Sequence, residues 1–150
     1  MQERINLFAK GMNGLKPMFE MGTHLKKSSL GAELMELVEF RVSQINACAY
    51  CLDMHAKEAR AKGETEQRLY GLSAWRETPY YTDRERAALA WAEAVTACHV
   101  PDEVYSKVAA HFSDEEMIDL TLVVTTINTW NRLNLAFPNT SGSYKVGMFG

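Results

Sequence analysis

Residues 114–135 carry Met117, Ile118, Leu120, Leu122, Val123, Val124, Ile127, Trp130, Leu133 and Leu135, apolar over most of the circumference of any helix they form. A helix of that kind has no face to give to water, so it predicts the central helix of the domain or one at a subunit interface. Val123-Val124-Thr125-Thr126-Ile127 has strand propensity, but the length of the surrounding pattern favours helix. Asn128, Asn131 and Asn134 recur every three residues along one flank. Buried amides need partners, so these three predict either an internal network or contacts with a neighbour's backbone.

The rest of the chain reads as shorter helices packed around this one. Ser113 with Glu116 and Thr82 with Glu85 are capping boxes that open the helix at 114 and another over 83–97. Ala87, Ala88, Leu89, Ala90, Trp91, Ala94 and Val95 make the latter a small-residue helix that others can approach closely. Cys98 at its end reads as a small buried hydrophobe. Pro101 heads a helix to Ala110. Residues 65–74 form a short helical segment, and 138–143 a turn or loop.

Ahead of these, Leu34, Leu37, Val38, Val42 and Ile45 give a wide apolar face to a helix from about Leu30 to Asn46, capped by Ser28 or Ser29. The next helix starts near Cys48 and stops at Gly63. Residues 1–13 read as a loosely held arm or a partner-contacting segment, and 15–27 as a short helix that Gly22 interrupts. The prediction is an all-α bundle of six or seven helices in one domain, residues 1–150.

Composition narrows the function classes. A hydrophobic fraction of 47% and a charged fraction of 23% fit a globular domain with a sizeable core. Nineteen acidic against 16 basic residues, net charge −3, and no basic run argue against nucleic acid as a partner. No apolar stretch is long enough to span a bilayer, and the start Met1-Gln2-Glu3-Arg4-Ile5-Asn6 lacks a signal-peptide core, so no membrane association and a cytoplasmic location are expected. No phosphate loop or flavin or nicotinamide fingerprint is present.

The chemistry concentrates in Cys48-Ala49-Tyr50-Cys51-Leu52-Asp53-Met54-His55. At about 100° and 1.5 Å per residue, positions 48, 51 and 55 share one helix face. Near a helix N-terminus the dipole favours a thiolate. Cys51, with His55 one turn behind it, is the better nucleophile, and Cys48 the thiol that resolves a sulfenic acid into a disulfide. A relay needs one more group. In an antiparallel hairpin turning near Cys48, Glu39 lies nearly level with His55, about 10 Å from the turn, and Glu36 about 18 Å away. Spacing alone slightly prefers Glu39. Two thiolates and an imidazole are also zinc ligands, although only one cysteine pair exists. A third reading is an interaction module whose cysteines are merely packed. Tyr50 either lines a substrate mouth or packs, and Trp91 and Trp130 are core residues of the type that also wall a peroxide pocket. His24 reads as a surface or packing residue, and His99 and His111 as capping or surface residues.

The run from Glu36 to His55 spells Glu, eleven residues, Cys-x-x-Cys, three residues, His, and this resembles the alkylhydroperoxidase D-like branch of the carboxymuconolactone decarboxylase superfamily. Ala74-Trp75-Arg76-Glu77, residues 83–93 and residues 127–134 extend the likeness over most of 15–137. The resemblance implies an all-helical homo-oligomer, often a trimer or hexamer, that reduces small hydroperoxides. It implies no bound cofactor, but an external thiol or dithiol reductant, a protein or a lipoyl group. It further implies that Cys51 attacks the peroxide, that Cys48 resolves, and that His55 and Glu36 relay protons, Glu36 in place of Glu39. Lipoamide-linked members have a second histidine between the cysteines where this chain has Tyr50. General disulfide exchange and lactone decarboxylation without peroxidase activity are the alternatives.

Overall fold

The computed structural model describes residues 4–149, and among these every regular element is helical. Seven α-helices follow in order: α1 Leu7–Leu25, α2 Ala32–Ile45, α3 Ala49–Ala61, α4 Glu66–Gly71, α5 Asp83–Thr96, α6 Asp102–Ala109 and α7 Asp114–Ala136, with a 3-10 segment, Leu72–Glu77, after α4. The all-α prediction holds.

Two apolar clusters share α2 as their common wall. In the larger, Leu34, Val38 and Val42 of α2 meet Ala88 and Ala92 of α5 and Leu120, Val123, Val124 and Ile127 of α7. The alanines let α5 come close, so branched side chains from α2 and α7 fill the space between the three helices. In the smaller, Leu37 and Phe40 of α2 pack with Ala59 of α3, Leu69, Leu72, Trp75 and Leu89. Thus α7 shares the centre with α2, and part of its apolar surface, Ile118 and Leu135, stays exposed.

The asparagine flank of α7 finds its partners inside the chain. Asn46 Nδ2 donates to Asn128 Oδ1 and to Asn131 Oδ1, both at 2.9 Å, and Asn131 Nδ2 donates to Ser43 Oγ at 3.1 Å. These bonds fix the C-terminal end of α2 against α7. Glu93 of α5 is a second junction: it accepts from Trp75 Nε1 at 2.9 Å, Arg41 Nε at 2.9 Å and Arg76 Nη1 at 2.6 Å. Burial pushes its carboxyl up, but the hydrogen bonds from Trp75, Arg76 and Arg41 hold it below the usual range.

Both capping boxes form, at Thr82/Glu85 and Ser113/Glu116. Gly63, at φ +96°, ends α3 in a Schellman motif, with Glu64 N–H bonded to Ala59 O and Gly63 N–H to Arg60 O.

Three expectations need correction. Instead of a loose arm and a broken helix, α1 runs unbroken from Leu7 through Pro17 and Gly22, residues 1–3 lying outside those described. Asn6 caps it by accepting from Ala9 N–H, and the buried Leu7, Leu15 and Leu25 anchor it. Neither serine caps α2. Gly31 at φ +85° is its N-cap, Ser29 Oγ donates to Glu116 and Ser28 Oγ accepts from Leu30 N–H. Cys98 is exposed, because it is the left-handed residue after α5, φ +54°, that closes a Schellman motif and turns its side chain outward. Trp91 is buried in the larger cluster, as the core reading expects, and it borders an open hollow of about 430 Å³ with Tyr105, Met117, Ile118 and Leu122, which neither cysteine nor His55 lines.

Candidate active site

The turn between α2 and α3 delivers the dithiol. Helix α2 ends in a Schellman motif whose two bonds run from Cys48 N–H to Ser43 O at 3.1 Å and from Ala47 N–H to Gln44 O at 3.2 Å. Ala47 supplies the left-handed step at φ +53°. The next residue, Cys48, is then the N-cap of α3, and Cys51 is the third residue of that helix. N-cap and third position are the pair that a capping box joins by hydrogen bonds, so their side chains converge. Here the two sulfurs are bonded, S–S 2.10 Å with Cα atoms 5.3 Å apart. In the reduced form the free N–H groups of the first turn of α3 favour a thiolate at this place. Both cysteines are 1% exposed, and Tyr50 between them is buried.

One turn along α3, His55 is buried against α2. Its Nδ1 lies 2.9 Å from Glu36 Oε2 and 3.7 Å from Glu39 Oε2. The hairpin is therefore offset, so that His55 meets both carboxylates. The spacing preference for Glu39 is overturned in favour of the shorter contact with Glu36. The other ring nitrogen, Nε2, is buried and has no hydrogen-bond partner among the described residues.

Electrostatics within this cluster are coupled. Burial disfavours the imidazolium, yet the Glu39 and Glu36 carboxylates outweigh it and raise His55 above its ordinary value. For Glu36 burial works upward, but the hydrogen bond and charge of His55, then those of Lys62, hold it down. For Glu39 the charges of His55 and Lys62 also pull downward, but they do not win. Burial, with the charge of Glu36 adding, pushes it up to about 7. The cluster thus sets a carboxyl that burial keeps toward its neutral form, Glu39, beside one that His55 and Lys62 keep toward its charged form, Glu36.

Oxygen and nitrogen atoms of Glu36, Glu39 and His55 lie within 4.8 Å of one another. The Lys62 ammonium, 2.7 Å from Glu36 Oε1, already neutralises that carboxylate. With that ion pair made, the cluster is not an open set of cation ligands. Nor do Cys48, Cys51 and His55 form the tetrahedral set that the zinc reading needs, since the sulfurs bond each other and Nδ1 faces the carboxylates.

Sequence reasoning missed Lys62 and what stands behind it. Lys62 follows His55 by seven residues, two helical turns, which puts both on one face of α3. That spacing was a readable signal. Glu58, 3.5 Å from Lys62 Nζ, accepts from Tyr144 OH at 2.5 Å and Gly147 N–H at 2.8 Å, and no local pattern announces those contacts across the length of the chain.

An all-α bundle with a disulfide at the head of one helix and a buried His–carboxylate cluster one turn on defines a class of dithiol proteins. The chain belongs to the carboxymuconolactone decarboxylase family, whose model matches residues 15–94. It is 42% identical over 146 residues to YdfG of Bacillus subtilis (strain 168), covering 95% of this chain and 99% of YdfG. Among solved structures it is similar to ATU0492 of Agrobacterium tumefaciens, a protein of unknown function named for a suggested AhpD role in antioxidant defence. The identity there is 38% and the TM-score 0.90, with 95% of this chain and 100% of that one covered. An uncharacterised peroxidase-related protein from Silicibacter sp. TM1040 is 25% identical at a TM-score of 0.81, with 95% of this chain and 78% of that one covered. Among the described residues, no helix is long and apolar enough to cross a membrane.

Proposed function

We propose that the protein is a thiol-dependent peroxidase that reduces small organic hydroperoxides through its Cys51/Cys48 pair. Cys51, as thiolate, attacks the outer peroxide oxygen; the O–O bond breaks, Cys51 becomes a sulfenic acid, and the alkoxide takes a proton to leave as alcohol. Cys48 sulfur then attacks the sulfenic sulfur, expelling hydroxide that leaves as water, and the disulfide closes. The sum is ROOH plus two thiols giving ROH, water and one disulfide. His55 takes the Cys51 proton and returns it to the leaving oxygen, with Glu36 holding the ring by its Nδ1.

The observation that carries this reading is the Cys48–Cys51 disulfide at the first turn of α3 with a carboxylate-bound imidazole one turn on. The antioxidant-defence role suggested for ATU0492 points the same way. Burial of both sulfurs favours a small substrate over a bulky protein disulfide, which needs an accessible sulfur. It also favours a slender reductant, such as a lipoyl arm or a small dithiol, and a reducing compartment such as the cytoplasm. Exposed Tyr105 and Ile118 beside the α5–α7 hollow suit burial in a homo-oligomer, a trimer or hexamer, which light scattering measures.

Consumption of cumene hydroperoxide by the prereduced protein, followed with a dihydrolipoamide regenerating system, tests the proposal. Turnover that vanishes without the dithiol supports it. Absence of even one equivalent of peroxide consumed per reduced protein overturns it.

A further inference from the structure

The site is wired to the far end of the chain. Residues 141–149 lie as a strap on α3, where Ser141 Oγ donates to Ala49 O, Gly142 N–H to Asp53 Oδ2 and Lys57 Nζ to Tyr144 O. Tyr144 is buried, and its hydroxyl and the Gly147 N–H both end on Glu58 Oε1. The other oxygen of Glu58 faces Lys62 Nζ at 3.5 Å, and Lys62 faces Glu36 Oε1 at 2.7 Å. Glu36 Oε2 completes the path at His55 Nδ1.

We propose that Lys62 is a positioning residue for the Glu36–His55 pair, held in place by the C-terminal strap through Glu58. The inference rests on the peroxidase reading for its meaning, but not for its test.

A carboxylate free to rotate offers either oxygen to a partner and can turn both to water. Lys62 removes that freedom by occupying Oε1, which leaves Oε2 for the imidazole. Lysine is a flexible point charge on a long stem, so on its own it would exchange between Glu36 and solvent. Glu58 is the second anchor that keeps it, and Glu58 is itself fixed by a hydroxyl and an amide from the strap. The electrostatics agree. Burial works against the Lys62 ammonium, but Glu36 and then Glu58 raise it above its ordinary value. Burial works against the Glu58 carboxylate, but Gly147, Tyr144 and Lys62 hold it low. A cleft of about 240 Å³ lined by Glu33, Glu36, Lys62, Glu64, Arg68 and Glu85 gives solvent a way to this pair if it loosens.

The charged groups around His55 are Glu36 and Glu39 from α2 and Lys62 from its own helix, and the cation opposes protonation of the ring. By charge alone its removal would move the His55 midpoint upward, but a Glu36 carboxylate that turns away takes with it the larger hydrogen-bond and charge effects that raise the ring, so loss of positioning moves the midpoint downward. The test is the titration of His55 by NMR in the reduced full-length protein, for wild type, Lys62→Met, Lys62→Arg and Tyr144→Phe. The midpoint is expected to fall in Lys62→Met, to return toward wild type in Lys62→Arg, and to fall by less in Tyr144→Phe, where Glu58, the second anchor of Lys62, keeps only its bond from Gly147 N–H. The rate of dithiol oxidation at pH 7 should fall about tenfold in Lys62→Met and about threefold in Tyr144→Phe. A His55 midpoint unmoved in Lys62→Met, or raised there as charge removal alone would give, or equally lowered in Lys62→Arg, overturns the positioning role of Lys62. An unmoved midpoint in Tyr144→Phe overturns the link to the strap. The titration needs no peroxide, so a protein whose His55 responds as described but whose thiols ignore hydroperoxides would contradict the peroxidase reading alone.

Discussion

His55 Nδ1 stands 2.9 Å from Glu36 Oε2, which commits that nitrogen to the carboxylate and leaves Nε2, buried and unbonded, as the ring's free position. A carboxylate in this place fixes the tautomer and steadies the imidazolium. Glu36→Gln keeps the shape and removes the charge. The reaction of the reduced protein with cumene hydroperoxide, by stopped flow at pH 7, should slow by about 10- to 100-fold. A change within twofold would separate Glu36 from the chemistry.

Glu39 gives a prediction about stability and pH. Its carboxyl is pushed up to about 7 from 4.5, so the folded protein binds this proton more tightly than the unfolded chain does. Stability from this group is complete below pH 4.5 and is lost as pH rises through about 7. Glu39→Gln has no such loss. The melting temperature of the variant minus that of wild type should therefore grow between pH 5 and pH 8. A difference constant over that range would mean Glu39 is ionised throughout.

Ala47 holds a left-handed conformation, φ +53°, that strains any residue with a Cβ. Replacing alanine by glycine is ordinarily destabilising, but Ala47→Gly should raise stability by about 0.5–1 kcal/mol, read from the urea midpoint at constant slope. A lower midpoint would show that the turn is not strained.

Asn131 is wholly buried and bonded to Asn46 and Ser43. In Asn131→Ala the Ser43 hydroxyl loses its donor and a cavity opens, at a cost of about 1–3 kcal/mol. Urea unfolding measures it. Loss of less than half that would show that the network is replaced by water at little cost.

Much of this was readable from local pattern. Thr82 with Glu85, Ser113 with Glu116 and Gly63 each act through neighbours three or four residues away, and each forms as the sequence predicts. The dithiol was legible because N-cap and third helical position converge whatever the rest of the chain does. What failed depended on tertiary contacts. The buried leucines of α1 carry it through Pro17, which propensity alone would not allow. Ser29 leaves its capping place because Glu116, far along the chain, offers a carboxylate. Cys98 looked like a buried terminal helix residue, but its backbone turns left-handed and exposes it. Glu36 and Glu39 were both visible, and only the offset between α2 and α3 decides which is nearer the ring. The link from Tyr144 through Glu58 to Lys62 joins residues 86 positions apart and leaves no trace in a local window.

The most direct measurement is mass analysis of the prereduced protein and its Cys48→Ser and Cys51→Ser variants after one equivalent of hydroperoxide. Our account predicts that wild type loses two hydrogen atoms as Cys48 and Cys51 join, that Cys48→Ser gains one oxygen on Cys51, and that Cys51→Ser is unchanged. Oxygen appearing on Cys48 in Cys51→Ser as fast as wild type closes its disulfide, or wild type left fully reduced, would contradict it.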